Sequence, residues 1–156
     1  MMEIDIPGRG QFRFENLVLD LNGTIARDGE IIEGVAERLQ RLGDWLDISI
    51  ITADTHGSAR SLEKSLPIGI RKIDRGGEPA QKLEIVKGLG AKSTVSIGNG
   101  ANDVSILRES GLGICVVGPE GAAAEAVAAG DLVVADINTA LDLLLNPDRI
   151  VATLRL

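Results

Sequence analysis

Residues 17–24 read LVLDLNGT, and this stretch decides the fold. A short apolar run, residues 17–19, leads into Asp20 and then into a turn that contains Asn22 and Gly23. Apolar runs of this kind are typical of strands buried on both faces of a parallel sheet, and ligands of such sheets bind beyond the carboxyl ends of the strands. Gly23 lets the chain turn and leaves backbone N–H groups free to face an anion. The stretch therefore predicts a parallel sheet with a site at Asp20.

Downstream of this stretch, short apolar runs alternate with segments of helical periodicity. Further strands are predicted at residues 48–51, 68–73, 95–97, 114–117 and 132–134. The helices predicted between and after them cover residues 35–42, 59–66, 79–89, 104–107, 119–129 and 140–145. Strands that alternate with helices of about ten residues indicate an α/β fold: a three-layer sandwich around a doubly wound, mainly parallel sheet.

Two small antiparallel pairs are predicted outside that sheet. Residues 3–14 alternate apolar and polar around PGRG, which predicts an N-terminal β-hairpin within residues 1–16. The Asp28-Gly29 pair predicts a second turn, in a small flap at residues 25–32. The apolar face that carries Phe12 and Phe14 needs cover, either from the domain's own helices or from a neighbour, so a homo-oligomer is one expectation. With no linker or repeat, residues 1–156 are predicted to form one domain.

The overall composition limits the function classes. The net charge of −7 argues against a nucleic-acid backbone or an anionic membrane as the main partner. Cys115 is the sole cysteine, which excludes a disulfide framework and a thiolate metal cluster. No signal pattern and no run of about 18 apolar residues is present, so a cytoplasmic protein without a membrane segment is expected.

Polar residues that follow the apolar runs are the candidates for a site. They are Asp20, Thr52, the GNGAND segment at residues 98–103, Gly118 and Asp136. Two glycines and three side chains with oxygen ligands in GNGAND suit a hard cation such as Mg²⁺. Lys82, near the start of a predicted helix, adds fixed positive charge. A carboxylate nucleophile, a hydroxyl, a lysine and a magnesium loop together indicate phosphoryl transfer.

These residues also carry a family resemblance. The chain resembles the haloacid dehalogenase superfamily, and within it the small proteins related to the catalytic domain of P-type ATPases. DLNGT at 20–24 resembles the nucleophile motif, TADTHGSA at 52–59 the second motif, QKLEIVKGLG at 81–90 the lysine motif, and GNGANDV at 98–104 the metal motif. The resemblance implies a Rossmann-like fold in which the first core strand lies beside the strand before GNGAND. Core elements fill the intervals between the motifs, so no cap domain is expected.

The resemblance implies a role for each matching residue. Asp20 would be the nucleophile that forms an aspartyl-phosphate, and Thr52 and Lys82 would hold the phosphoryl oxygens. The magnesium ligands would be Asp20, the backbone carbonyl of Asn22, Asn99, and Asp103 either directly or through water. Residues expected to contact the substrate are Gly23, Thr24, Ala53, Gly100 and Asn102. For His56, beside the second motif, a structural role and a place near the site are both open.

Two departures from the family pattern bear on activity. Phosphatases of the family have aspartate at the Asn22 position, where it protonates the leaving group and activates water, and an amide can do neither. P-type ATPases also lack that aspartate and still form the phospho-enzyme. Asn99 also replaces an aspartate, so the metal should bind more weakly. Asp28 and Glu30 of the flap are candidates for a substitute acid.

Two functions follow from these residues. The first is a magnesium-dependent phosphohydrolase acting through Asp20, with weakened turnover, on a phosphorylated small molecule, a nucleotide or a phosphoprotein. The second is a catalytically impaired relative that binds a phosphate or a protein without turnover. Retention of Asp20, Thr52, Lys82 and Asp103 favours the enzyme, because a decayed site would more often lose its nucleophile.

Overall fold

The N-terminal hairpin forms as predicted in the computed structural model of the chain, which describes residues 1–54 and 57–156. Thr55 and His56 of the second motif therefore lie outside the described residues. Strands β1 (Met2–Ile6) and β2 (Gly10–Phe14) pair antiparallel, with Ile4 opposite Phe12. The buried face of the hairpin joins the main core, and the two phenylalanine rings stack 6.0 Å apart.

The central sheet has six parallel strands, which confirms the predicted α/β class. Strand β3 (Asn16–Asp20) is followed by the flap, in which β4 (Ala26–Arg27) and β5 (Glu30–Ile31) pair around the two-residue turn at Asp28 and Gly29. Both turn residues have positive φ, 52° and 79°, as a tight hairpin turn requires. The other sheet strands are β6 (Asp47–Thr52), β7 (Ile68–Lys72), β8 (Thr94–Gly98), β9 (Leu112–Val116) and β10 (Leu132–Val134).

The strand order β10-β9-β8-β3-β6-β7 places β3 in the interior of the sheet, between β8 and β6. This is the predicted juxtaposition of the nucleophile strand and the strand before GNGAND. The chain runs from β3 outward to β6 and β7 and then returns to β8 on the other side of β3. The change of direction creates the crevice at the carboxyl ends of β3 and β8 where ligands of doubly wound sheets bind.

Helices cover both faces of the sheet. They are α1 (Val35–Leu42), α2 (Ser58–Ser65), α3 (Glu78–Leu89), α4 (Val104–Glu109), α5 (Ala124–Ala129), α6 (Ile137–Leu145) and α7 (Asp148–Leu154). Along β3, Leu17 and Leu19 join the core of α1, α6 and the hairpin, whereas Val18 joins the core of α3 and α4. All three side chains are fully buried, which is why this strand reads as a continuous apolar run.

The hairpin is covered by the chain itself. Helix α7 contacts β1, and its Ile150 and Leu154 belong to the same core cluster as Ile4 and Ile6. The apolar face of the hairpin is therefore covered by a helix of the same domain, which is one of the two possibilities considered from the sequence. A homo-oligomer stays a prediction, but the hairpin no longer requires one.

One predicted helix is too long. Residues 119–129 were expected to be helical, but α5 begins at Ala124. Residues 118–121 instead form a turn in which Gly121 has φ +73°, and the Ala123 N–H donates to the carbonyl of Asn99. The alanine-rich composition favours a helix, but this segment is held against the GNGAND loop.

The segments between the motifs contain only core elements and the flap, so the structure has no cap domain across the residues that it describes. Within residues 1–54 and 57–156, no helix combines the length and apolar character needed to cross a bilayer.

Candidate active site

A cavity of about 700 Å³ opens at the carboxyl ends of β3, β6 and β8. Eight residues named from the sequence line it: Asp20, Asn22, Thr52, Ala53, Lys82, Asn99, Gly100 and Asn102. The remaining three predicted residues, Gly23, Thr24 and Asp103, are buried around its floor. Asp136, considered from its position after β10, instead accepts a hydrogen bond from the Thr139 N–H at the start of α6.

Asp20, Lys82 and Asp103 form a hydrogen-bonded row at the floor of the cavity. The Lys82 ammonium donates to Asp20 Oδ1 at 2.8 Å and to Asp103 Oδ1 at 2.7 Å. Lys82 is 1% exposed, so this cation is held in a nearly dry environment between two carboxylates. A buried charge is tolerated when it is paired and hydrogen-bonded, and two carboxylate partners satisfy that condition.

Asp103 anchors the GNGAND loop. Its Oδ2 accepts the backbone N–H groups of Asn99 and Gly100 at 3.0 and 2.9 Å, while Oδ1 faces Lys82. A Cβ at Gly98 would lie 2.4 Å from Cγ of Asp103, so only glycine leaves room for this carboxylate. Asp103 therefore fixes both the loop and the lysine, from a fully buried position beneath the cavity.

Thr24 links the nucleophile motif to the metal motif. Its hydroxyl lies 3.3 Å from Asp20 Oδ2 and 3.2 Å from Asn99 Oδ1. The Asn99 side-chain N–H₂ donates to the carbonyl of Gly121 at 3.1 Å, and its amide oxygen is the atom turned toward the Thr24 hydroxyl. A hydroxyl has one proton to donate and here faces two acceptors. Two oxygen acceptors that share one donor favour a cation or a water in their vicinity.

The residues present fit a magnesium ion. The Asp20 carboxylate, the Asn22 backbone carbonyl and the Asn99 amide oxygen are hard oxygen donors of the kind that Mg²⁺ prefers, and Mg²⁺ is commonly bound by only one or two carboxylates. The part of the chain that the structure describes contains no group of three or more His, Cys, Asp or Glu side chains arranged to hold a metal. Such a group counts only acidic, histidine and cysteine side chains, and Asn99 contributes an amide oxygen instead.

Burial sets the electrostatics of the nucleophile. The pKa of Asp20 is raised to about 6: burial raises it most and the nearby charge of Asp103 also raises it, whereas Lys82 and the Thr24 hydroxyl lower it. For Lys82, burial alone would lower the pKa, but the carboxylates of Asp20 and Asp103 outweigh it and the pKa is raised. Lys82 is therefore a fixed cation at neutral pH.

Thr52 ends β6 at the same edge of the sheet. Its hydroxyl accepts the Asp54 N–H at 3.0 Å, which orients the oxygen and leaves its own proton free for a phosphoryl oxygen. Ala53 follows at the cavity wall. The side chain of Thr52 is 5% exposed, so it can contact only a ligand that enters the cavity.

Three charged residues of the cavity wall were missed from the sequence, Arg75, Glu78 and Glu120, and a fourth, Asp54, belongs to the second motif but was given no role. Glu78 accepts a hydrogen bond from the Asn102 side chain at 2.7 Å and thereby positions that residue of the metal motif. Arg75 lies just beyond β7, so extending the search by a few residues past each strand would have found it. Glu120 is hidden inside the segment that was predicted to be helical.

Arg75 sits on a loop that Gln81 holds in place. The Gln81 side chain bonds the N–H and carbonyl of Asp74 and the carbonyl of Gly76. Neither a hydrogen bond nor an ion pair is found for the Arg75 guanidinium in the part of the chain that the structure describes. An unpaired guanidinium on a fixed loop at the cavity wall suits an anionic group of a ligand.

Comparisons with known proteins agree with this fold. No family model matches the chain. An uncharacterized protein of Methanocaldococcus jannaschii is 47% identical over 91 residues, which cover 54% of this chain and 98% of that protein. A copper-transporting ATPase of Arabidopsis thaliana chloroplasts is 29% identical over 93 residues, which cover 58% of this chain but 10% of the ATPase.

Solved structures extend the likeness over most of the chain. One is a 3-deoxy-D-manno-octulosonate 8-phosphate phosphatase of Moraxella catarrhalis, solved in complex with magnesium, phosphate and the sugar acid. It aligns with a TM-score of 0.67 and 23% sequence identity, and the alignment covers 91% of this chain and 94% of the phosphatase. Another is a haloacid dehalogenase superfamily hydrolase of Legionella pneumophila. It aligns with a TM-score of 0.71 and 17% sequence identity, and the alignment covers 89% of this chain and 86% of the hydrolase. At these identities the likeness is one of fold.

Proposed function

Because the chain belongs to the same family as the uncharacterized Methanocaldococcus protein and has the haloacid dehalogenase fold, we propose that it is a magnesium-dependent phosphohydrolase. The observation that carries the proposal is the row Asp20–Lys82–Asp103 at the floor of the cavity. It presents a carboxylate beside a fixed cation, at the switch point of a doubly wound sheet. Such an arrangement suits a nucleophile that accepts a phosphoryl group.

In the first step Asp20 attacks phosphorus, the bond to the leaving-group oxygen breaks, and an aspartyl-phosphate forms. Lys82 and the Thr52 hydroxyl contact the oxygens of the transferred group. Lys82 is held by Asp103 on the opposite side, so it need not move as charge develops. Donors that are already in position stabilise the transition state without reorganisation.

Magnesium would be held by the Asp20 carboxylate, the Asn22 carbonyl and the Asn99 amide oxygen, with Asp103 acting directly or through water. When bound, the ion would neutralise charge on the phosphoryl oxygens. Replacement of a carboxylate by the Asn99 amide removes one negative charge from the site, so we propose that metal affinity is reduced.

Asn22 favours weakened turnover. Its amide can neither protonate a leaving group nor deprotonate water, and general acid–base assistance is typically worth about 10²–10⁴-fold. We therefore propose that good leaving groups react well and that hydrolysis of the aspartyl-phosphate is slow unless another residue supplies the base. The same observation supports the alternative, an impaired relative that binds phosphate or a phosphoprotein without turnover.

The substrate is proposed to be a phosphorylated small molecule or nucleotide that carries a further anionic group. The unpaired guanidinium of Arg75 supports this, since it provides a second cation at the cavity away from the row at its floor. The phosphorylated sugar acid named for the Moraxella phosphatase is of this kind. An open site without a cap also suits a phosphoprotein. A single domain and a cytoplasmic location are proposed from the sequence.

Hydrolysis of p-nitrophenyl phosphate with Mg²⁺ tests the enzyme proposal. The wild-type protein should release nitrophenol, and both EDTA and Asp20→Asn should abolish the release. Asp44→Asn removes an exposed carboxylate after α1 and serves as the matched control, with activity unchanged. Activity that survives Asp20→Asn would remove Asp20 as the nucleophile. Phosphate binding without any release would favour the binding module.

A further inference from the structure

We propose that Glu120 is the general base that hydrolyses the aspartyl-phosphate, in place of the family aspartate that Asn22 replaces. The inference rests on the proposed function and names the group that completes its second step. Residues 119–121 were expected to begin a helix, but with Gly118 they form a turn, and Glu120 of this turn lines the cavity.

Glu120 packs directly on the nucleophile motif. A Cβ at Gly23 would lie 2.4 Å from Oε2 of Glu120, so this carboxylate occupies the space that any side chain at position 23 would need. Gly23 has φ +79° and is the residue directly after Asn22. A Cβ at Gly118 would lie 3.2 Å from the Gly23 carbonyl oxygen, which shows that the whole turn, and not only the flexible side chain, lies against the motif.

The turn is also tied to the metal motif. Gly121 accepts the Asn99 side-chain N–H at 3.1 Å, and the Ala123 N–H donates to the Asn99 carbonyl. Backbone contacts therefore hold Glu120 between the two motifs that bear Asn22 and Asn99. The fixed backbone keeps the Glu120 side chain within reach of both motifs, which reduces the part of the search for a catalytic geometry that depends on the main chain.

The other carboxylates are less suitable. Asp28 and Glu30, suggested from the sequence as substitutes, line a separate cavity of about 470 Å³ with Asp136. Glu78 is hydrogen-bonded to Asn102. Asp54 follows β6, whereas Glu120 follows β9, and these two strands lie on opposite sides of β3 in the sheet. Asp54 therefore approaches the nucleophile motif from the side of β3 opposite to Glu120. Across residues 1–54 and 57–156, no hydrogen bond or ion pair occupies the Glu120 carboxylate.

The chemistry of the second step balances with Glu120 as base. A water oxygen attacks the phosphorus of the aspartyl-phosphate while the Glu120 carboxylate takes one proton from that water. The bond between phosphorus and the Asp20 oxygen breaks, and its electron pair returns to the Asp20 carboxylate. Inorganic phosphate leaves, and Glu120 releases its proton to solvent.

The lifetime of the phosphoryl label tests this role. The protein is labelled with acetyl phosphate and Mg²⁺, the donor is removed, and loss of label is followed. Glu120→Gln should lengthen the lifetime by about 10²-fold and leave the rate of labelling unchanged. Adding Asn22→Asp to Glu120→Gln should restore rapid loss, because aspartate then supplies the base. Glu125→Gln, an exposed acid on α5, is the matched control and should not change the lifetime.

Two results would overturn the assignment of Glu120. The first is an unchanged lifetime in Glu120→Gln; if labelling of that variant also depends less on Mg²⁺, Glu120 is a metal ligand instead. The second is a lifetime that lengthens in Asp54→Asn and not in Glu120→Gln, which would transfer the role to Asp54. These outcomes leave the phosphohydrolase proposal intact, whereas failure of the wild-type protein to take any label overturns both.

Discussion

The ammonium group of Lys82 lies 2.8 Å from the carboxylate of Asp20, although the two residues are 62 positions apart in the chain. β3 delivers the carboxylate from the interior of the sheet, and α3 delivers the lysine from one of the flanking layers. The pair is nearly excluded from solvent, with side-chain exposures of 2% and 13%. The pair lies at the floor of the cavity and is the reactive centre of the proposed enzyme.

Removal of Lys82 should destabilise the protein. Lys82→Met would leave Asp20 and Asp103 close together without the cation that separates them, and breaking a buried pair in this way costs about 3–5 kcal/mol. Denaturant unfolding measures the change. Lys87→Met, at an exposed lysine on the same helix, should change the free energy of unfolding by no more than about 0.5 kcal/mol. Equal small effects for both variants would contradict the pairing.

Asp20→Asn should stabilise the metal-free protein at neutral pH. Burial raises the pKa of Asp20 to about 6, above its ordinary 3.8. The folded state thus holds this proton more tightly than the unfolded state, so the contribution of Asp20 to stability is present below its ordinary pKa and is lost as the pH rises through about 6.

Thermal unfolding in EDTA from acidic to neutral pH measures this effect. The stability gain of Asp20→Asn should grow between the two pKa values and stay constant at higher pH. Asp44→Asn, which alters an exposed carboxylate, should show no such gain. A variant less stable than wild type at neutral pH would indicate that the hydrogen bond to Lys82 outweighs burial.

Arg75→Ala should weaken binding of substrates that carry a second anion. The loop that Gln81 fixes carries the guanidinium at the cavity wall, away from the reacting atoms, so its loss should raise KM and leave kcat nearly unchanged. The expected rise is about tenfold for a phosphorylated sugar acid or a nucleotide, which corresponds to one charge-assisted contact. For p-nitrophenyl phosphate, which has no second anion, KM should barely change. Equal effects on both substrates would contradict this role.

Asn22→Asp should raise turnover on alkyl phosphates by about 10²-fold or more, because an aspartate can protonate the poor leaving group. The gain on p-nitrophenyl phosphate should be smaller, since nitrophenolate leaves without help. Steady-state rates on both substrates measure the two gains. If neither rate changes, the missing acid is supplied elsewhere or the site is not catalytic.

The sequence predicted the fold because its signals are local. Continuous apolar runs such as residues 17–19 and glycine turns such as Asp28-Gly29 depend on nearby residues alone, and the strands at these positions form as expected. The error at residues 119–123 has the opposite origin. Helix propensity there is outweighed by a hydrogen bond from Ala123 to Asn99, a residue distant in sequence.

The cavity was predicted in part for the same reason. Motifs at strand ends identified seven of the eight lining residues, since the carboxyl ends of neighbouring parallel strands meet at one edge, and the lysine motif on a helix identified the eighth, Lys82. Arg75 lies a few residues past the end of β7, outside the positions directly after each strand, and Glu120 reaches the cavity from a turn whose path depends on tertiary contacts. Likewise, only the three-dimensional structure reveals that Asp103 is fully buried and holds Lys82.

Identification of the phosphorylated residue tests the central claim most directly. The protein is incubated with acetyl phosphate and Mg²⁺, quenched in acid, digested, and analysed by mass spectrometry. An acid-stable phosphoryl group on the peptide that contains Asp20, absent from Asp20→Asn and absent when EDTA is added, is the predicted result. A label on another residue, or phosphatase turnover in a protein that never carries a label on Asp20, would contradict the account.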